Sequence, residues 1–449
     1  MSPADESNPR RVRSRELSAV DLKLFAQPLK LMPLYDPPQI DDTRRPEELS
    51  IRNRSPDRLG VLLRVGKNDL TYVCNVVGHV INPAGVVVGL SDDPRAVAAA
   101  GRAARRVEVP LLTDSVFFRC AMPRARISQS LAKLAYAPPA EHGPWTPADL
   151  GRSALPGLVR AVFQEQDGRQ HGAWMAPTVV LDADPRTLEI ADRLLATSID
   201  TRPAFGCEPL VAPLVIDLPA YSKLTDQVHL VDTLGRHRPD AYLVSLAGVD
   251  TSGARLASAI RLLLLLNSLG VPVLLAKAGG LRVFAIAFDL AGFETGLGRL
   301  GRFDLNDFRG HGGAGRWPAY FEIRDLLSAL HPEIAARVRR SSALPGEPCD
   351  CPACRAGWSP GDAEGTVVHD ASVISADVDG AQTGPVDARV ASLQRSISEA
   401  RHSVDELFEA GVDVRQPTRH LARWAEAIEV LRRWGLDEPD AAGRLRDAA

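Results

Sequence analysis

Short β-branched segments alternate with helical segments along the middle of the chain, and this alternation constrains the fold more than any other sequence feature. Units of strand, helix and strand with short connections fold into a parallel sheet with right-handed crossovers. We count about seven or eight strands and find no GxGxxG after the first, which favours a closed barrel over an open dinucleotide-binding sheet. The strand segments lie at 86–91, 109–115, 178–184, 213–219, 241–248, 271–279 and 292–298.

The remaining segments differ from this α/β region in composition and in hydrophobic pattern. Residues 1–55 are rich in Pro, Arg, Asp and Ser, which predicts a partly ordered lead-in to a barrel domain over 56–340. A C-terminal subdomain follows over 341–449, with helices predicted around 391–410 and 418–434. The segment at about 356–387 has no helical period, and we expect it to be a flexible insertion.

The net charge and the distribution of apolar residues limit the partners that we expect for this chain. The net charge of −3 does not indicate a polyanion partner, so any contact with nucleic acid must come from a local basic patch. No stretch approaches the ~20 apolar residues of a membrane span, and the N-terminus lacks the apolar core of a signal peptide. We therefore expect a cytoplasmic protein without a membrane partner.

Three of the six cysteines, Cys349, Cys351 and Cys354, fall within one short loop. Thiolates that close together suit a tetrahedral Zn²⁺ and do not suit a set of disulfides. The sequence offers His369, His402 and His420 as the fourth ligand, and helix-borne imidazoles favour His402 or His420. Three thiolates and one histidine close the coordination shell, so we expect the zinc to be structural.

The CxCxxC loop after a βα barrel resembles the tRNA-guanine transglycosylase family, including its DNA-modifying 7-deazaguanine relatives. The family's first catalytic aspartate lies in a TDSGGFQ segment, and Asp114 and Ser115 match it, although the paired glycines do not. The family also has an LFxAGE helix followed by a histidine that opens the next helix. LFEAG at 407–411 precedes His420 here, so the resemblance selects His420 as the fourth zinc ligand.

Several further positions of the chain correspond to motifs of the same family. The resemblance implies that Asp182 or Asp184 recognises the base and that Gly248 ends the family's GGLAVG-like strand. It places Glu294 where the family has its nucleophilic aspartate. Independently of the resemblance, Asp217 and Lys277 also follow predicted strands, and the carboxyl ends of parallel strands converge on one cavity.

The function that the resemblance implies is exchange of a guanine for a 7-deazaguanine base in tRNA or DNA, with Asp114 and Glu294 as catalytic residues. Such exchange needs one carboxylate to attack the anomeric carbon and another to handle the proton of the leaving base. The alternative is a non-catalytic paralogue that serves as the nucleic-acid-binding subunit of a modification complex. The sequence leaves open whether the chain works as a homodimer or with a partner subunit.

Overall fold

The computed structural model describes residues 59–66, 76–78, 80–81, 83–92, 94–139, 141–167, 172–206, 209–297, 303–309, 320–341, 343–344, 349–380 and 384–438. The predicted lead-in at 1–55 lies outside these residues. None of the described helices is long and apolar enough to cross a membrane.

The protein has an α/β fold built on one parallel sheet. Nine strands of the described part form it, in the order β3-β2-β1-β9-β8-β7-β6-β4, with β5 also paired to β6. Because β4 and β5 lie end to end along β6, the sheet has eight strand positions. The strands are β1 Gly60–Arg64, β2 Gly85–Gly89, β3 Leu111–Asp114, β4 Trp174–Met175, β5 Val180–Leu181, β6 Leu210–Asp217, β7 Ala241–Ala247, β8 Val273–Leu275 and β9 Gly292–Thr295.

Helices connect most of these strands, as the sequence predicts. The helices between β2 and β9 are α1 Pro94–Arg106, α2 Phe118–Ala121, α3 Leu155–Asp167, α4 Pro185–Phe205, α5 Leu224–Leu234, α6 Gly253–Asn267 and α7 Arg282–Ala287. Asp184 caps α4 by accepting a hydrogen bond from the Arg186 N–H, and Pro185 occupies the first helical turn, where a missing N–H costs nothing.

The sheet curls until its edge strands meet. A parallel bridge joins Leu112 of β3 to Ala173 beside β4. One buried apolar cluster fills the inside of the curl with residues of both edges and of the strands between them, which an open flat sheet would not bring together. Its members are Leu62, Val87, Leu112, Ala173, Met175, Val211, Ala241, Leu243, Leu274 and Ala276.

The seam between β3 and β4 is held by a backbone hydrogen bond from the Gly172 N–H to the Leu111 carbonyl at 3.0 Å and by one side chain. Gln166, which is fully buried, accepts from the Met175 N–H at 2.8 Å and donates to the Met175 carbonyl at 2.7 Å. The Thr113 hydroxyl donates to the same amide oxygen at 3.5 Å. The side-chain amide of Gln166 therefore satisfies backbone groups that a neighbouring strand would otherwise pair.

After β9 the chain forms a short hairpin and a set of helices. The hairpin strands β10, Phe321–Ile323, and β11, Ser328–Leu330, are antiparallel. The last helix, α13 His420–Arg433, packs on the helices that cover the sheet: Glu426 accepts from the Gly253 N–H at 3.1 Å, and Trp424 contacts Phe284 edge-on. These elements are α8 Asn306–Arg309, β10 Phe321–Ile323, β11 Ser328–Leu330, α9 Pro332–Arg340, α10 Pro352–Arg355, α11 Ala363–Gly380, α12 Val386–Glu409 and α13 His420–Arg433.

The prediction of a flexible insertion at 356–387 is wrong, because α11 occupies Ala363–Gly380. Its Gly, Asp, Ser and Val residues have low helix propensity, which hid the helix in the sequence. Burial of one face, including Val367, Ala371 and Ile374, stabilises it instead.

Candidate functional site

The carboxyl ends of the parallel strands form a rim that carries charged residues on the inside of the curl. Side chains alternate along a strand, so residues two apart share a face. Asp114 lies two residues after the interior Leu112, Arg64 two after Leu62, and Glu294 pairs in register with Leu62. These three side chains consequently point to the same interior.

Arg64 joins the two carboxylates that the sequence marks as catalytic. Its Nε donates to Glu294 Oε1 at 2.5 Å and its Nη2 to Glu294 Oε2 at 3.0 Å, a bidentate pair. The same Nη2 donates to Asp114 Oδ2 at 2.8 Å. Asp114 and Glu294 therefore face each other across one guanidinium. The Glu294 side chain is completely buried, whereas those of Arg64 and Asp114 are 22% and 15% exposed.

The charges of this cluster perturb its two cations in opposite directions. Burial opposes the charge of Arg64, but the charges of Glu294 and Asp114 outweigh burial and raise its pKa. For Lys277, burial and the positive charge of Arg64 lower the pKa to about 8, against the carboxylates, which raise it. Lys277 is therefore poised to exchange a proton near neutral pH.

Two residues at the rim hold backbone conformations that L-amino acids rarely adopt. Val116 has φ +46° and Lys277 has φ +48°, both in the left-handed region. The Val116 N–H donates to Asp114 Oδ1 at 2.8 Å, and the preceding carbonyl, that of Ser115, accepts from the Tyr136 hydroxyl at 2.5 Å. Strain of this kind concentrates at functional sites, where the surrounding contacts enforce it.

Other rim residues have more structural roles. Asp184 is a helix cap paired with Arg186, and Asp182 accepts from the Asp184 N–H at 2.9 Å and from the Thr187 hydroxyl at 3.2 Å. Both belong to one turn, and only Asp182, two residues after the interior Val180, shares the interior face. Ser115 is buried, and its hydroxyl accepts from the Phe117 N–H at 3.4 Å.

Asp217 and Gly248 end the neighbouring strands β6 and β7. Asp217 lies two residues after Val215, which faces the interior, so it shares that face at the rim. Gly248 has φ +75°, and a Cβ there would lie 3.0 Å from Pro219 Cδ. The glycine is therefore needed for the turn after β7, which explains its presence without a ligand.

An apolar cover lies over part of the rim. Phe118, Phe303 and Leu305 pack on Val180 and Val215 near the ends of β5 and β6. The Lys277 ammonium lies 5.0 Å from the centroid of the Phe303 ring, a cation–π contact. The charged cluster and the apolar cover thus divide the rim between them.

A second candidate site lies after the sheet, where Cys349, Cys351, Cys354 and His369 bring their ligand atoms within 4.8 Å of one another. His369 Nδ1 lies 3.4, 3.4 and 3.5 Å from the three sulfurs. A tetrahedral zinc with Zn–S of about 2.3 Å and Zn–N of about 2.0–2.1 Å separates N from S by roughly 3.5 Å. The residues therefore fit a zinc site of the Cys₃His type.

The prediction of His420 as the fourth ligand is wrong. His420 Nε2 lies 3.1 Å from the Leu327 carbonyl oxygen, and its ring contacts Trp424 instead of the cysteines. His402, the other favoured candidate, is on the surface beside Glu406. His369 takes the place because α11 is ordered, which the sequence did not indicate.

Surrounding groups fix the orientation of His369. Its Nε2 lies 2.6 Å from the Glu322 carbonyl oxygen and donates to it, which leaves Nδ1 as the ligand atom. The ring stacks on Phe321 with centroids 3.9 Å apart. Imidazole ligands of metals almost always have such a partner for their second nitrogen.

The crowded thiols also favour a cation. Hydrogen bonds from Cys349 and Cys354 lower the pKa of Cys351, and those with Cys349 and Cys351 raise the pKa of Cys354. Cys351 and Cys354 therefore cannot both be thiolates without a positive charge near them. A divalent metal supplies that charge and deprotonates its thiol ligands.

A buried ion network connects this site to the sheet's helices. Arg282 of α7 donates to Glu322, whose backbone holds His369, and to Asp377 of α11 at 2.8 Å. Burial opposes the charge of Arg282, but Glu322 and Asp377 together raise its pKa. Loss of one partner would leave the others buried and uncompensated, so the network fixes the cysteine site to α7.

Sequence reasoning missed Arg64 and set His369 aside. Arg64 ends an apolar run, GVLLR, in the same way that Asp114 and Glu294 follow apolar segments, so the strand-end criterion applied to β1 would have found it. No comparable signal marked His369. Comparison of the sequence with models of protein families finds no match, and comparison with curated proteins finds none either.

Proposed function

We propose that the protein is a base-exchanging transglycosylase, which replaces a guanine in tRNA or DNA with a 7-deazaguanine base through a carboxylate nucleophile. The observation that carries the proposal is the meeting of Asp114 and Glu294 on Arg64 at the carboxyl ends of parallel strands. Parallel barrels place their reacting groups at that rim. The proposal includes the finer fold, a (β/α)8 barrel with a helical subdomain that holds a structural zinc.

The two carboxylates differ in what they offer a substrate. Asp114 gives one oxygen to Arg64 and the other to the Val116 N–H, and it stays partly exposed. Both carboxylate oxygens of the buried Glu294 accept hydrogen bonds from Arg64. A substrate therefore meets Asp114 first, and Glu294 becomes a nucleophile only if Arg64 turns to another anion, such as a phosphate of the substrate.

The left-handed conformation of Val116 supports the family resemblance at this loop. Val116 occupies the position of the first glycine in the family's TDSGGFQ segment, and glycine adopts φ +46° without strain. The backbone shape is therefore the one that the glycine would serve. His369 departs from the resemblance, because the family's histidine opens the helix after LFxAGE, whereas His369 lies on the helix before it.

The non-catalytic alternative, a nucleic-acid-binding subunit, has one observation in its favour. Arg64 donates hydrogen bonds to both carboxylate oxygens of Glu294, and Phe118 and Phe303 cover the neighbouring part of the rim. A chain that had lost its chemistry would keep such a stable ion pair. The two candidates differ in whether a covalent intermediate forms.

The test is to trap that intermediate. The protein is incubated with labelled guanine and either bulk tRNA or DNA, and a denaturation-resistant protein–nucleic acid complex is sought on gels. Glu294→Gln should abolish the complex and Asp114→Asn should slow its formation. Asp184→Asn is the matched control, because asparagine still caps α4 and the side chain pairs with Arg186 at the surface.

Absence of any complex and of acid-stable label with either nucleic acid would select the binding-subunit function. Equal trapping by the wild type and Glu294→Gln would refute Glu294 as the nucleophile while leaving the activity itself intact.

A further inference from the structure

A groove of about 830 Å³ lies beside the rim, between the loop after β2, the segment after α2 and helix α8. Three cations line it, Arg119, Arg126 and Lys133, of which the last two are exposed to solvent. The three cations lie on one segment of the chain, 119–133, and place three positive charges on the wall that this segment forms.

Arg119 is short of partners in this groove. Its Nη2 donates to the Arg126 carbonyl at 3.0 Å, but its Nε is buried and has no hydrogen-bond partner among the described residues. A guanidinium has five N–H donors in a planar fork that suits phosphate and carboxylate oxygens. Buried donors without partners are rare in folded proteins, and an absent ligand is one of the explanations for them.

Three acidic residues, Asp92, Glu165 and Asp307, also line the groove, and the first two accept hydrogen bonds from nearby backbone groups. Asp92 accepts from the Gly89 N–H at 2.9 Å, and Glu165 accepts from the Ala135 N–H at 3.0 Å. Both carboxylates hold loops in place, and the charges of Asp92 and Asp114 stabilise the Arg119 cation without a salt bridge to it among the described residues. Hydroxyl groups of Ser128 and Ser130, which lie 3.2 Å apart on the same wall, add neutral donors.

Phe308 separates the groove from the rim. Arg119 lies 5.5 Å from the centroid of its ring, and Lys277 of the rim lies 5.2 Å from the same centroid. The groove and the cluster of Arg64, Asp114 and Glu294 are therefore neighbours on one face of the molecule. A strand whose reacting nucleoside occupied the rim would place its adjacent backbone in the groove.

We propose that this groove binds a phosphate group of the nucleic-acid strand next to the reacting nucleoside, with the half-buried Arg119 as the anchor and Arg126 and Lys133 as exposed contacts. The assignment of the phosphate to a nucleic acid rests on the proposed function. A free phosphate compound offers the same chemistry, and the experiment distinguishes the two sources.

The test measures binding and needs no activity. Fluorescence anisotropy of a short labelled single-stranded oligonucleotide is followed across a salt series with the full-length protein. The double variant Arg126→Gln/Lys133→Gln should bind about tenfold more weakly, and its slope of log affinity against log salt should fall by about 1 to 2. Both positions are exposed, so folding is preserved; Arg119→Gln should give a further loss.

The matched control is Arg160→Gln/Arg401→Gln, which removes the same charge from exposed positions outside the groove. Equal affinity and salt slope in the groove and control variants would overturn the proposal. Unchanged oligonucleotide binding combined with lost binding of inorganic phosphate, measured by calorimetry, would overturn the nucleic-acid source and assign the groove to a free phosphate compound.

The result is independent of the trapping experiment. Weaker binding by the groove variants without any covalent complex would sustain the phosphate site and refute the transglycosylase. A covalent complex that forms with equal affinity in all variants would support the transglycosylase and refute the phosphate site.

Discussion

Val116 allows a direct test of the strained rim, because its left-handed φ of +46° reverses the usual order of alanine and glycine. In ordinary helical backbone, replacing alanine with glycine costs about 1 kcal/mol. In the left-handed region an L-residue with a Cβ costs roughly 1–2 kcal/mol, which glycine avoids. We therefore expect Val116→Gly to be about 1 kcal/mol more stable than Val116→Ala.

Both variants lose the two half-buried methyl groups of valine, at about 0.8 kcal/mol for each when fully buried, and glycine alone also loses Cβ, a contribution that a second half-buried valine cancels. The control is the half-buried Val228 inside α5, where Val228→Gly should be about 1 kcal/mol less stable than Val228→Ala. The difference between the two sites is therefore about 2 kcal/mol.

Urea unfolding followed by circular dichroism measures all four variants under the same conditions. If glycine were less stable than alanine by the same amount at both positions, Val116 would not be strained. The structural match between Val116 and the first glycine of the family's TDSGGFQ segment would then be refuted as well.

Three further predictions concern the charged and metal-binding groups. Purified protein should contain stoichiometric zinc; His369→Ala should lose most of it and His420→Ala should keep it, and metal analysis showing the opposite would refute the assigned ligand set. Because the fold lowers the pKa of Lys277 to about 8, the unfolded chain binds more protons between pH 8 and about 10.4, so stability should rise with pH there by up to about 1.4 kcal/mol per unit. Lys277→Met should remove that increment in urea unfolding at pH 8 and pH 10, and an unchanged increment would exclude Lys277 as its source. Arg64→Met should destabilise the protein by about 3–5 kcal/mol by leaving Glu294 buried without a partner, and Glu294→Gln should restore part of the loss; additive losses would contradict the pair.

The sequence predicted the sheet well because its signals are local. β-branched runs such as that of β7, Ala241–Ala247, and the amphipathic period of α13 each depend on a few neighbouring residues. Asp114 and Glu294 were placed at one rim correctly, since the convergence of parallel strands follows from topology alone. Arg64 remained unnoticed because the strand that it ends, Gly60–Arg64, was not among the predicted strands.

The cysteine site shows where local patterns fail. The three thiols were evident from their spacing, but the fourth ligand depends on α11, whose stability comes from burial and not from propensity. The predicted choice of His420 relied on a neighbouring helix match. That helix exists, and His420 opens it, but it packs against Leu327 and Trp424 instead of the cysteines.

Because the Gln166 amide takes the place of a strand partner, the sheet should open transiently at the seam that it bridges. Seven register pairs join β6 to β7, whereas β3 and β4 share one bridge and a side chain. Opening of this seam breaks the fewest backbone hydrogen bonds, so deuterium should enter the strand amides first at Thr113 and Ala173, whose N–H groups face the seam. Such opening would widen the rim beside Asp114, which terminates β3. The exchange rate at these two amides would then report how often the interior admits a molecule larger than the closed rim allows.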